Sequence, residues 1–285
     1  MSDDPLLKLL GPKRLTAVVD IGANPIDGDP PYKSLLQKRG CRVTGFEPQA
    51  DALATLNARK SELETYFPNV IADGNPATLR ICRAPGMTSL YKPDTKMLAY
   101  FRGLPEWGAV VEEISVSTSR LDDVIDEDAL DFLKIDIQGG ELTAIENGRR
   151  CLAHAVAIQV EVSFLPLYEK QPTFAEVDQA LRKLGFIPHT FAAINRRMIA
   201  PLFDERNPYA ALNQLLEADV VYVRNFTKPD AMSDEQLKHL AITAHHCYRS
   251  FDLATNCIFH LCQRQAIAAD SMQRYLALAA SLPPN

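Results

Sequence analysis

Four short stretches of the chain carry side chains suited to binding a cofactor or moving a proton. Asp20-Ile21-Gly22-Ala23-Asn24 closes an apolar run with an acid and then a glycine. Glycine lets a backbone approach a ligand closely, and the N–H groups at the start of a following helix point toward it. Taken alone, such a turn is also an ordinary piece of chain. Glu47, in Gly45-Phe46-Glu47-Pro48, offers two carboxylate oxygens after a second apolar run. An acid there can accept from both hydroxyls of a ribose. Lys134, Asp136 and Gln138 recur at period two in FLKIDIQGGEL, and Gln159, Glu161 and Ser163 do the same in IQVEVS. Asp73, in Ile71-Ala72-Asp73-Gly74, either sits beside a bound base or closes a turn on its own backbone.

A lysine and an aspartate inside a central strand are costly to bury unless paired. Lys134 and Asp136 lie two residues apart, on the same side of an extended chain. They can pair with each other, and either can meet Glu161 if the two strands are neighbours. The structural reading is an ion pair that fixes register. The functional reading is a polar cluster beneath a ligand, which Gly139-Gly140 would allow to lie against the backbone. The dinucleotide pattern G-x-G-x-x-G is absent, since the first loop reads GANPIDG. That favours a cofactor without a diphosphate and argues against an NAD-dependent oxidoreductase.

These residues need a scaffold. Continuous apolar runs at residues 15–21, 42–46, 132–137 and 157–162, with a weaker one at 69–72, read as buried parallel strands. Helical patterns at 32–39, 50–63, 141–147 and 174–184 alternate with them, the last two each stopped by a glycine. This alternation predicts an α/β fold with a mostly parallel sheet and helices on both faces. Residues 86–108, with Tyr91, Tyr100, Phe101 and Trp107, read as an irregular excursion. It forms either a satellite apolar cluster or a stacking surface for a substrate. A helix over 208–217 and a strand over 218–224 are expected next, with Arg196 and Arg197 in a connection before them. Ser233 and Gln236 resemble a capping box that opens a helical C-terminal part. The boundary is placed between residues 1–228 and 229–285.

The totals exclude several classes. The 285 residues are 47% hydrophobic and 23% charged, with a formal charge of −6. No basic block offers phosphates a footprint, so no nucleic-acid partner is expected. The start MSDDPLLKLLGPKR does not read as a signal peptide, and no apolar stretch is long enough to span a bilayer. The six cysteines form no C-x-x-C pair and read as thiols of a cytoplasmic chain. His245, His246, Cys247, Cys257, His260 and Cys262 lack the paired spacing of zinc ligands, so no metal is expected. The C-terminal helices are expected to cap a substrate pocket or to form a homodimer surface.

Together D-I-G-A-N, G-F-E-P and F-L-K-I-D-I-Q-G-G-E-L, with V-E-V-S-F-L-P-L-Y-E and E-A-D-V-V-Y-V-R, resemble the FkbM family of methyltransferases over residues 15–225. The resemblance implies a Rossmann-like class I methyltransferase fold, with seven strands and the last one antiparallel. It also implies S-adenosyl-L-methionine as cofactor and methyl transfer, usually to the oxygen of a sugar or natural-product hydroxyl. On this reading the cofactor lies against Asp20, Gly22, Ala23, Asn24 and Gln138, with its ribose on Glu47 and its adenine beside Asp73. Asp136 and Glu161 are the candidate bases, and Lys134 tunes their charge. The chain departs from the family twice. Ile26 stands where a glycine usually follows D-I-G-A-N, which implies a longer loop. Gln138 stands where a glutamate is usual, which supports the alternative of a cofactor-binding module that no longer catalyses.

Overall fold

The computed structural model describes residues 3–24, 28–126, 130–207 and 209–281. The loop expected to be lengthened around Ile26 lies outside the described residues.

Seven strands form the central sheet: β1 (Thr16–Ile21), β2 (Cys41–Phe46), β3 (Glu64–Phe67), β4 (Phe132–Ile135), β5 (Ala157–Ser163), β6 (Phe186–Arg197) and β7 (Gln214–Arg224). Their spatial order is β3-β2-β1-β4-β5-β7-β6. The first five strands run parallel, and β7 runs antiparallel to both of its neighbours. This is the Rossmann-like class I methyltransferase arrangement, as the resemblance implied. Such a sheet presents the carboxyl ends of its parallel strands as one edge, where open α/β folds bind ligands.

Both faces of the sheet are apolar, but they are covered differently. One face carries Val19, Ile21, Leu133, Ile135, Ile158 and Val160 against helices α4 (Glu141–Glu146) and α5 (Phe174–Lys183), numbering α1 (Pro5–Leu10), α2 (Lys33–Gln37) and α3 (Ala50–Arg59) before them. The other face carries Val18, Val43, Phe132, Ala157, Val221 and Val223. Against it pack α1, α2 and three C-terminal helices, α6 (Asp234–Tyr248), α7 (Phe251–Gln263) and α8 (Ser271–Ala280). Ser233 caps α6 through the expected box, its hydroxyl accepting from the N–H of Gln236. No helix among the described residues is long and apolar enough to cross a membrane.

Four sequence expectations are corrected. The third strand is Glu64–Phe67, not 69–72. Its alternating, half-exposed residues give little apolar signal, while Val70–Ile71 pairs outside the sheet with Thr118–Ser119. β6 was not anticipated, and Arg196 and Arg197 end that strand instead of lying in a connection. It is an exposed edge strand, which tolerates Pro188 because no further strand needs its missing donor. β7 begins at Gln214, so the helix expected over 208–217 gives way to strand pairing with β5 and β6; Pro208 itself lies outside the described residues. Finally, the excursion is framed by an unanticipated antiparallel hairpin of Ala77–Cys82 with Val110–Val116.

The turn after β1 sets the close approach between β1 and β4. Gly22 has φ +77°, and a Cβ there would lie 1.8 Å from the carbonyl oxygen of Asp136. That oxygen belongs to backbone and cannot swing away. Gly22→Ala is therefore expected to lower folding stability by about 2–4 kcal/mol. Urea unfolding checks this, and an unchanged midpoint would contradict the packing described.

Candidate active site at the carboxyl edge of the sheet

Strand register builds the site. Gly45 pairs with Asp20, Asp20 with Lys134, and Lys134 with Gln159, one rung across four parallel strands. Two residues further along each chain lie Glu47, Gly22, Asp136 and Glu161, and Glu161 pairs with Asp219 of β7. Apolar residues fill this face of the sheet toward the amino ends of the strands, and polar residues replace them at the carboxyl edge.

Lys134 does not pair chiefly with Asp136. Its Nζ lies 3.3 Å from Asp20 Oδ1. Burial opposes its charge, but Asp20 and then Asp136 outweigh that cost and hold the ammonium above the ordinary lysine range. The other oxygen of Asp20 accepts from the buried Tyr32 hydroxyl at 2.5 Å. Asp20 is only 3% exposed, so its position is set from two sides.

Glu47 is buried at the end of β2, where Oε1 accepts from the N–H of Gln49 at 2.7 Å. Burial raises its carboxyl to about 7, and Asp20 adds to that. Further across the edge, Gln138 Nε2 donates to Asp136 Oδ1 at 2.9 Å and to Glu161 Oε2 at 2.8 Å. Burial first, and then Asp136 and Glu217, push Glu161 well above the carboxylate range. Glu217 is raised to about 7, chiefly by burial, although it hydrogen-bonds Asn195. Glu141 opens α4 and accepts from the N–H groups of Ile137 and Gly139; burial raises it to about 7 as well.

All these groups except Glu141 line one cavity of about 1030 Å³. That is room for a nucleoside cofactor and a small acceptor together. Asp20, Gly22, Ala23, Asn24 and Glu47 lie on its β1–β2 side, with Lys134, Asp136, Gln138 and Glu161 across from them. Asp73 does not line it. Its carboxylate instead accepts from the backbone and side-chain N–H groups of Asn75, closing a turn. The excursion supplies Met87, Ser89, Leu104 and Trp107 to the wall. Phe101 and Trp107 also belong to a satellite apolar cluster with Leu98 and Tyr168. The β6–β7 hairpin supplies Asn195, Arg197, Glu217 and Asp219, none of which sequence reasoning found. Alternation in E-A-D-V-V-Y-V-R was the available signal for the last two. Among the described residues, none that lines the cavity comes from the C-terminal helices. Tyr248 of α6 nevertheless supports the site from below, its hydroxyl donating to Gln159 Oε1 at 3.0 Å.

Among the described residues, the histidines and cysteines of the C-terminal helices do not gather into a ligand set. The group that does is Asp136, Glu141 and Glu161, and Gln138 already donates to two of these three. The donor set at the β1–β2 side suits the cofactor that the resemblance implied. Glu47 is a buried acceptor at the cavity wall with hydrogen-bonding capacity left over.

Removing one partner of a buried ion pair strands the other. Lys134→Met is expected to lower stability by about 3 kcal/mol, and Lys134→Met with Asp20→Asn by clearly less. Denaturant unfolding of both variants measures this. A loss in the double variant as large as in Lys134→Met, or larger, would contradict the stranding of Asp20.

A family profile described as the Methyltransferase FkbM domain matches residues 20–188, more than half of the chain. No curated protein matches the sequence. Among solved structures, the chain is similar to methyltransferase FkbM from Methylobacillus flagellatus, with 16% identity and a TM-score of 0.40. That alignment covers 78% of this chain and 48% of the other, so this chain spans about half of that protein's length. It is also similar to magnesium protoporphyrin IX methyltransferase from Synechocystis, with 12% identity, a TM-score of 0.36 and coverage of 77% and 76%. A third similarity is to precorrin-6y C5,15-methyltransferase from Geobacter metallireducens, with 14% identity, a TM-score of 0.34 and coverage of 77% and 86%. The family match covers the strand ends that build the cavity, from Asp20 through Glu161, and the chain belongs to the FkbM-domain methyltransferase family.

Proposed function

We propose that this chain transfers a methyl group from S-adenosyl-L-methionine to a hydroxyl of a sugar or other small natural product. The observation that carries this reading is the convergence of acids from four neighbouring strands, Asp20, Glu47, Asp136 and Glu161, on one cavity. When bound, S-adenosyl-L-methionine supplies an activated methyl on a sulfonium. Asp20, Gly22, Ala23 and Asn24 would hold its amino-acid part, and Glu47 its ribose.

The remaining work falls to the residues of the chain. An acceptor hydroxyl must be aligned, and its proton must leave as the new carbon–oxygen bond forms. Asp136 and Glu161 face that part of the cavity and act as one acidic pair. The pair takes the proton, and Lys134 supplies a compensating positive charge nearby. The apolar wall of Met87, Leu104 and Trp107 would lie against the body of the acceptor and keep water from the reacting oxygen.

Two measurements test this reading. Calorimetry should show binding of S-adenosyl-L-methionine and none of NAD; binding of NAD alone would support an oxidoreductase instead. With a panel of sugar and natural-product hydroxyls, the wild type should release S-adenosylhomocysteine. Asp136→Ala should stay folded and lose about a hundredfold or more of that rate. Full turnover by Asp136→Ala would refute its role. Cofactor binding without any release across the panel would favour the non-catalytic module.

Glu47 adds a pH dependence with a definite sign. Its carboxyl, raised to about 7, is neutral below that pH and ionised above it. Ribose hydroxyls donate, so only the ionised form accepts from both. Affinity for S-adenosylhomocysteine should therefore rise from pH 6 to pH 8. Glu47→Gln should flatten the profile, and an equally steep rise in that variant would contradict the assignment.

A further inference from the structure

The β6 side of the cavity presents an arginine whose donors the protein does not satisfy. Ala193, Asn195 and Arg197 recur at period two along β6, and all three line the cavity. Asn195 is engaged, through its hydrogen bond with Glu217. Arg197 is not. A guanidinium has five N–H donors, and here Nη1 alone is used, donating to the carbonyl of Arg196 at 3.2 Å. Nε is buried and has no hydrogen-bond partner among the described residues. Glu217 feels the positive charge, but Arg197 forms no ion pair among the described residues. The guanidinium is nonetheless held in place. Its central carbon lies 5.2 Å from the centre of the Tyr209 ring, and Tyr209 stacks on Trp107 at 5.1 Å and 27°. Unmet donors in such a setting are costly, and a ligand that accepts from them removes the cost.

We propose that Arg197 binds a carboxylate of the methyl acceptor, which makes the acceptor a hydroxylated acid such as a uronic-acid residue. That the bound molecule is a methyl acceptor rests on the methyl-transfer reading; the carboxylate site itself does not. Position separates this anion from the cofactor. β6 lies four strands from β1, about 19 Å at ordinary strand spacing, so a cofactor held by Asp20 to Asn24 does not bring its own carboxylate to Arg197. β5 and β7 lie between, and they carry Glu161, Glu217 and Asp219 to the cavity. Those acids can accept from sugar hydroxyls, and they repel added negative charge. The site therefore suits a single carboxylate better than a doubly charged phosphate. A planar guanidinium meets both oxygens of a carboxylate in parallel bonds, and the Tyr209 ring keeps it ordered for that contact. Trp107, which also lines the cavity, offers the acceptor ring an apolar face.

Trp107 is the one tryptophan of the chain, so its fluorescence reports on this end of the cavity. Titrations with methyl glucuronoside and methyl galacturonoside, with the neutral methyl glucoside and galactoside, and with glucose 6-phosphate test the proposal, each with and without S-adenosylhomocysteine. The wild type should bind at least one uronoside about tenfold or more tighter than its neutral counterpart, and tighter than the phosphate. Arg197→Met should bring that uronoside down to the level of the neutral sugar. Arg197→Lys keeps the charge without the fork and should retain only part of the preference. If Arg197→Met does not fold, Arg197→Lys decides alone. Equal binding of acid and neutral sugars, no response to any probe, or a preference that survives the substitution overturns the proposal. Tighter binding of glucose 6-phosphate overturns the carboxylate assignment. Calorimetry with S-adenosyl-L-methionine judges the methyl-transfer reading separately. A uronoside preference that depends on Arg197 in a chain that binds no cofactor would keep the site and end that reading.

Discussion

The site depends on one buried ammonium. Lys134 stands in the middle of the sheet, paired with Asp20 across β1 and close to Asp136 on its own chain. Without it, the carboxylates of Asp20, Glu47, Asp136 and Glu161 would crowd one edge without the ammonium that Asp20 and Asp136 face. The pair exists because β1 and β4 are parallel neighbours in a register that sets Asp20 opposite Lys134. Register is well specified here, because a one-residue slip would carry Leu133 and Ile135 out of the apolar layer beneath α4 and α5. Hydrophobic packing on one face thus places the charges on the other.

Around that ammonium, elements distant in sequence close the cavity. The excursion between the hairpin strands brings Ser89 to the backbone of Gln138, and Tyr168 reaches the Gln138 side chain from beyond β5. The same Tyr168 is buried in the satellite cluster with Phe101 and Leu104. Apolar packing of the excursion is therefore mechanically tied to the hydrogen bonds of the acidic pair. The C-terminal helices act from the opposite direction: they bury the lower half of the same sheet face and support Gln159 through Tyr248.

Much of this was legible in the sequence where a signal repeats. The period-two placement put Lys134, and Gln159 with Glu161, on one side of adjacent strands as found, whereas β4 ends at Ile135 and Gln138 turns into a left-handed conformation beyond it. The partner of Lys134 was not legible, because it depends on the β1–β4 register, which no local pattern encodes. β6 was missed because an exposed edge strand shows little apolar alternation. The Ala- and Leu-containing stretch before β7 mimics a helix until pairing with β5 and β6 overrides it. Those two errors hid Asn195, Arg197 and Glu217 from view. Gln138 was expected as a cofactor contact and noted as a missing glutamate. Its role as a double donor needed the positions of Asp136, Glu161 and Tyr168 together. Asp73 fell the other way, to a turn closed on Asn75, as its surroundings of Gly74 and Asn75 equally allowed.

The central claim is spatial: one nucleoside cofactor lies along the carboxyl edge of the sheet, between Glu47 and the Asp136–Glu161 pair. Diffraction from crystals grown with S-adenosylhomocysteine tests it most directly. The account predicts density for the ribose within hydrogen-bonding distance of the Glu47 carboxylate, with the sulfur turned toward Asp136. A nucleoside bound away from Glu47, or with its sulfur directed away from Asp136 and Glu161, would contradict it.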